Sequence, residues 1–365
     1  MVSVEEISNE LYPIQTVDAF IPVSELLSRM NFTEIESKLD QYLGYAHCRS
    51  WEYSPLVLFK LLIVKIFRKH SYRRLVNSLT PEDCLYLGLK EEESGRFLIP
   101  AASTVHDFAY NRLGLEGLKQ IMVLNGTIAC KNIRNANGMI DSTPIEASRY
   151  DKYARFNPHY ECRMYKLHIF HLEDFPLYGI FSNGTEYDGG YATPLAEKVS
   201  LMHPDLKAVK LDAGYDSYQN HAALWKILKV QPLIDQNADA VIQYEGTEER
   251  IDHWVNKMWK KGGDIHTGIS AKLHFLYDNG REIQVGKYLR NKNLLDPDFK
   301  SAYKSRSDCE RTHSHMKRMF TFTVKWIQQR SREFYMCANF VAYQIVLIAN
   351  LMRNVPDIQD MSVYF

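Results

Sequence analysis

Apolar residues recur at helical spacing through the first third of the chain, in residues 26–35, 56–67 and 75–79. Ser71 is placed to cap a helix running to about residue 79, Thr80 with Pro81 to start the next, and Ser103 to cap the stretch 105–113. From Gly138 the pattern changes to short apolar runs bounded by Gly, Pro and Asn. Residues 138–145 (GMIDSTPI), 165–172 (YKLHIFHL) and 177–182 (LYGIFS) read as strands, the last two joined by a tight connection at 173–176. Residues 193–202 read as helix, 208–211 as a short buried strand, 217–228 as helix and 230–234 as a further strand.

Three strands followed by helix, strand, helix and strand is the order of an RNase H-like α/β core, a mixed sheet flanked by helices. Residues 235–300 are polar and glycine-bearing. The alternating runs 273–277 and 281–285, separated by Asp278-Asn279-Gly280, predict a β-hairpin there and hence a β-rich insertion. From Asp298 the chain is helical again and ends in an apolar helix over 334–352. The expected organisation is an all-α, helix-turn-helix-like domain over 1–137 for DNA binding or dimerisation. A catalytic domain over 138–365 follows, interrupted by the insertion 235–300. The helical spacing of the first domain fits a purely structural bundle equally well.

Composition narrows the classes. With 44 basic and 44 acidic residues in 365, no global charge announces a nucleic-acid partner. Local clusters do: residues 60–74 carry Lys60, Lys65, Arg68, Lys69, Arg73 and Arg74 with no carboxylate, and 300–332 is also strongly basic. Arg73 and Arg74 are therefore candidate DNA contacts. The six cysteines show no metal-site or disulfide spacing, which fits a reducing cytoplasm, and residues 1–10 are polar with no signal pattern. The apolar stretches 56–67 and 334–352 read as buried helices rather than membrane spans. The first is short and holds Lys60 and Lys65, and the second holds Asn339, Gln344 and Asn350.

The candidate chemistry lies in three carboxylates. Asp141 interrupts an otherwise apolar strand, where a carboxylate is costly without a partner or ligand. Asp212 closes the strand AVKLD, at the end of an α/β strand where ligands bind, although strand-end aspartates also form ordinary turns. Asp216 reads instead as the N-cap of the helix that follows it. Beyond the insertion, Tyr303, Arg306, Glu310 and Lys317 fall within about 60° of one helical face at 100° per residue. Such a stripe suits a metal ion on a phosphate backbone: Arg306 forks onto oxygens, Lys317 adds a point charge, Tyr303 donates a hydrogen bond and Glu310 binds the metal. A surface pair between Arg306 and Glu310 is the plainer reading of that helix taken alone. Three converging carboxylates would suit two Mg²⁺ ions about 3.5–4 Å apart, with Mn²⁺ as a substitute, for phosphodiester chemistry.

The chain resembles the bacterial insertion-sequence DDE transposases, in particular the group with a Y-x2-R-x3-E-x6-K signature. Here that signature is YKSRSDCERTHSHMK, with Tyr303, Arg306, Glu310 and Lys317 at the matching spacing. GMIDSTPIEA and LDAGYDS resemble the first and second carboxylate motifs of the same group, and residues 55–113 resemble the helical domain preceding many such cores. The resemblance implies that Asp141, Asp212 and Glu310 are the metal triad and that Tyr303, Arg306 and Lys317 hold the element's terminal phosphates. It further implies double-stranded DNA as partner at element ends and target, no membrane, a homodimer in the DNA complex, and action at the nucleoid of a bacterial cytoplasm. Trp254, Trp259 and Trp326 are candidates to receive a flipped base in a hairpin route, and no spacing selects among them. The competing readings are an RNase H-like nuclease without strand transfer and a domesticated DNA-binding protein.

Overall fold

The structure, a computed structural model, describes residues 21–43, 52–236, 240–259, 268–304, 308–319, 329–362 and 364. They divide into two compact units, residues 1–132, 145–154 and 312–365 in one and 133–144 and 155–311 in the other.

The first unit is helical. It holds α1 (Val23–Arg29), α2 (Thr33–Leu43), α3 (Pro55–Phe67), α4 (Tyr72–Asn77), α5 (Pro81–Leu87), α6 (Ala102–Asp107), a π-helical turn over Phe108–Leu113, and α7 (Gly114–Asn132). Polar caps set these boundaries. Ser71 accepts from the Arg74 backbone N–H at 3.1 Å, and Thr80 and Asp83 form a reciprocal capping box behind Pro81. Ser103 is not a cap: α6 starts at Ala102 with no side-chain cap, so this serine lies inside the first turn. Asp83 is buried because its carboxylate has four donors. Arg68 binds it through both terminal nitrogens at 2.9 and 2.6 Å, Ser24 at 2.6 Å and the Thr80 backbone N–H at 3.1 Å. Arg73 and Arg74 are exposed on α4.

The long apolar C-terminal helix packs among the N-terminal helices. Its window Ser331–Met352 is long and apolar enough to cross a membrane, yet 94% of it is buried in protein. Its polar residues are bonded inside that core: the Asn125 amide donates to Gln344 Oε1 at 3.3 Å, and the Asn350 amide donates to the carbonyls of Ile358 and Asp360 at 2.9 and 2.7 Å.

The second unit is built on a mixed six-stranded sheet of β1 (Ala136–Glu146), β2 (Arg155–Asn157), β3 (Cys162–Leu172), β4 (Phe175–Asn183), β5 (Leu206–Leu211) and β6 (Pro232–Ile234). β3 lies beside β1 and pairs antiparallel with β4 and β2, while β1, β5 and β6 run parallel. The helices α8 (Ala192–Ser200) and α9 (Tyr218–Leu228) supply the crossovers. This order, with β4, β3, β1, β5 and β6 abreast, fits an RNase H-like core. Every strand and helix expected between residues 138 and 234 is present, and the short β2 and two 3₁₀ turns, Asp188–Tyr191 and Ala213–Tyr215, are additional.

The expected β-rich insertion is instead helical among the described residues: α10 (Glu248–Met258), α11 (Ile269–Asp278) and α12 (Glu282–Leu295). The alternation over 273–277 also places Leu273 and Leu276 one helical turn apart, and these bury with Ile251, Val255, Val285, Leu289 and Ala222 in one cluster. Asp278-Asn279-Gly280 turns between two helices, with Gly280 at φ +73°. α12 then lies so close to the start of α9 that a Cβ at Gly286 would sit 2.0 Å from the Tyr218 carbonyl oxygen. Beyond the insertion come α13 (Phe299–Tyr303), α14 (Asp308–Met319) and the C-terminal α15 (Gln329–Met352).

Candidate active site

The parallel pairing of β1 with β5 aligns Ile140 with Leu211, so the next residues along the two strands are Asp141 and Asp212. Adjacent strands are roughly 4.8 Å apart, which sets two carboxylates side by side at the centre of the sheet. Asp141 is 7% exposed, on a strand whose preceding residues Met139 and Ile140 are buried. Asp212 is half-buried. Its backbone is still extended, and its Oδ1 accepts from the Gly214 backbone N–H at 2.9 Å, so it forms the turn that ends its strand while facing Asp141's position in the register.

Glu310 is exposed on the first turn of α14. Its neighbour Cys309 is fully buried and places its Sγ 3.4 Å from Asp141 Oδ2. The start of α14 is thereby held against the Asp141 carboxylate, and Arg311 anchors it further through two bonds to Asp174 at 2.7 and 2.8 Å. Tyr303 lies on α13, its ring stacked on Phe299, and Arg306 and Trp326 lie outside the described residues. Lys317 is exposed on α14. The stripe expected on one helix is therefore described at three of its four positions, on two helical elements.

Asp216 is not the helix cap expected from sequence. Ser217 caps α9 by accepting from the Asn220 N–H at 3.1 Å, and Asp216 binds Arg290 of α12 at 2.8–3.1 Å through both oxygens, with His221 at 3.2 Å. Burial pushes its carboxyl up, but the bonds from His221 and Arg290 prevail and hold it below the usual range. The helical insertion is thus tied to the segment Asp212–Asp216 that follows β5.

Sequence reasoning missed two residues beside the paired carboxylates. Tyr160, at the tip of the β2–β3 hairpin, has its phenol pushed up by partial burial and then by Asp188, Asp141 and Asp212. All three aspartates thus lie within electrostatic reach of the tyrosine. Asp188 in turn binds Lys166 at 2.8 Å and lies 3.6 Å from His168. Nothing local in the sequence marks Tyr160 or Asp188, since the strands that bring them to the carboxylates pair over long separations.

His168 is fully buried, bonded to Ser182 Oγ at 2.7 Å and stacked on Tyr191 at 3.9 Å. Burial, opposed by Asp188, brings its pKa down to about 4, so it is neutral in the fold. The unfolded chain protonates this histidine near pH 6.5 while the folded chain does not, so stability is full above that pH and declines as pH falls toward 4. The total is about 3 kcal/mol at one residue, shared in direction by buried His221. Thermal unfolding between pH 7 and 4.5 should show this decline, and His168→Gln should flatten it. An unchanged slope in that variant would contradict the assignment.

Among the described residues, no three His, Cys, Asp or Glu side chains lie close enough together to hold a metal ion. The donor chemistry nevertheless suits a divalent cation. Two hard carboxylates stand abreast, one of them buried, and their negative field reaches a neighbouring phenol.

Comparison with curated proteins returns no match. Among solved structures the chain is similar to a piggyBac transposase synaptic complex with hairpin DNA, determined by cryo-EM. The identity is 10%, the alignment covers 93% of this chain and 79% of that one, and the TM-score is 0.41. The family described as Transposase DDE domain matches residues 138–345, from the strand that carries Asp141, through Asp212, to beyond Glu310. Because that match spans more than half of the 365 residues and contains the paired carboxylates, the chain belongs to the DDE transposase domain family and is a DNA transposase, an enzyme of metal-dependent DNA cleavage and strand transfer.

Proposed function

We propose that Asp141, Asp212 and Glu310 are the catalytic carboxylates and that they hold two Mg²⁺ ions, for which Mn²⁺ can substitute. The observation that carries this reading is the register of β1 and β5, which sets Asp141 beside Asp212. The contact of Cys309 with Asp141 supports Glu310 as the third member, because it brings the start of Glu310's helix to the same carboxylate. Divalent ions bound there would supply activation of the attacking oxygen and charge neutralisation at the leaving one. The protein's part is to hold the carboxylates rigid on sheet and helix, and to grip the DNA end through Tyr303, Arg306 and Lys317.

On this reading the chain belongs to the Y-R-E-K group and acts on the ends of a bacterial insertion element in the cytoplasm, at the nucleoid. Residues 1–137 serve as a helix-turn-helix-like DNA-binding or dimerisation domain, with Arg73 and Arg74 on the backbone, and residues 138–365 form the catalytic domain. Two ends must be joined, which favours a homodimer on DNA.

The test is a cleavage and strand-transfer assay with Mg²⁺ on DNA carrying the element's ends, comparing the wild type with Glu310→Gln. Losing one metal-binding oxygen should slow both steps by about 10²–10³-fold while DNA binding persists. Equal activity in the two proteins would remove Glu310 from the triad. Cleavage without joining in the wild type would point to a nuclease.

A further inference from the structure

The helical insertion carries a cationic cluster that the carboxylate chemistry does not use. On its helix α10 and at the N-cap of α12, three cations surround one indole. The guanidinium of Arg281 lies 4.4 Å from the Trp254 ring centre, the ammonium of Lys257 5.1 Å and the guanidinium of Arg250 5.6 Å. Trp254 is half-buried, with part of its surface packed on the insertion's own apolar cluster, so the ring is a fixed platform. Arg250 also lies over exposed Tyr244 at 5.7 Å.

The charge balance distinguishes this patch from an ordinary solvated face. Other cations of the same region are neutralised: Lys272 by Asp252 at 2.6 Å, Lys287 by Glu245 at 3.5 Å, Lys226 by Asp278 at 2.5 Å and Arg290 by Asp216 at 2.8 Å. Arg250, Lys257 and Arg281 make no ion pair with any carboxylate among the described residues, and Glu245, whose field Arg250 shares, is already engaged by Lys287. Three like charges gathered on one ring repel one another. The quadrupole of the indole returns about 0.5–1 kcal/mol per cation at an exposed site, so the arrangement lacks the anion that would complete it.

We propose that Trp254, Arg250, Lys257 and Arg281 form a docking site for the phosphate backbone of double-stranded DNA, separate from the carboxylate site. DNA is the occupant that charge complementarity selects for a DNA transposase: consecutive phosphates present a line of anions, and two guanidiniums and an ammonium match it by fork and by point charge. The patch reads no bases. It adds sequence-independent grip, and Arg281 caps α12, the helix whose Arg290 is bonded to Asp216 in the segment following Asp212. The proposal rests on DNA being the substrate but not on which carboxylates are catalytic.

The experiment is fluorescence anisotropy of the full chain with a duplex of arbitrary sequence, titrated with salt. Arg250→Gln, Lys257→Gln and Arg281→Gln together should lower the slope of log affinity against log salt by about 0.9 per lost contact, so by two to three in all. Lys257→Gln alone, at an exposed position, should lower it by about 0.9 with an unchanged unfolding midpoint. The control removes the same charge from paired lysines, Lys226→Gln, Lys272→Gln and Lys287→Gln, and should leave the slope near wild type. An unchanged slope in the first variant, or an equal fall in the control, would overturn the proposal. Repeating the titrations in the Glu310→Gln background keeps the result independent of the carboxylate assignment.

Discussion

Asp141→Asn is expected to abolish DNA cleavage and strand transfer, by about 10³-fold or more, without weakening the fold. The substitution is isosteric and removes one negative charge from a side chain that is 7% exposed. The asparagine variant should therefore unfold cooperatively, near the wild-type thermal midpoint, when no divalent ion is present. With Mg²⁺ the wild type should rise above it, since an ion bound only by the folded wild type stabilises it in proportion to RT ln(1 + [L]/Kd), and the variant should show no such rise. Several kilocalories of transition-state stabilisation are lost with one member of a metal-binding pair, which is the origin of the expected loss in rate. A variant that stays active, or a wild type whose midpoint ignores Mg²⁺, would remove Asp141 from the catalytic centre.

The largest expected effect on stability lies elsewhere. Arg332 donates to both oxygens of Asp151 at 2.9 and 2.7 Å, and both residues are 2% exposed. Asp151 also accepts from the backbone N–H of Tyr153 at 2.9 Å, so the same carboxylate organises the turn after β1. Arg332→Met would keep most of the apolar stem and remove both guanidinium bonds from a buried carboxylate, at a cost of about 3–5 kcal/mol. Chemical denaturation should show that loss, and Asp151→Asn added to Arg332→Met should recover part of it by removing the buried charge. A loss below about 1 kcal/mol in the single variant would mean that the pair is solvated in the native protein.

Much of the catalytic unit was legible from residue order because its strands are short apolar runs with turn residues between them. The lone carboxylate in GMIDSTPI stood out because it breaks such a run. The insertion was misread because a five-residue alternation is compatible with both a strand and one face of a helix. Its burial with Ile251 and Val255, which decides the matter, is a tertiary property. Asp216 reads as a cap in sequence because caps are local, whereas its partner in the fold, Arg290, is 74 residues away.

What the sequence determined by itself is the set of elements around the sheet, the caps at Ser71 and Thr80, the buried character of the C-terminal helix, and the order of the three carboxylates proposed for the site. All of these follow from interactions among near neighbours in the chain, or from the cost of placing a charge in an apolar run. What only the tertiary structure decided is the pairing that makes chemistry possible. The register sets Asp141 beside Asp212, the buried Cys309 brings Glu310's helix to Asp141, and Tyr160 comes within the field of Asp141, Asp212 and Asp188. Those relations join residues 19 to 168 positions apart, and no local pattern encodes them, because strand register and helix docking are settled by which apolar faces bury together.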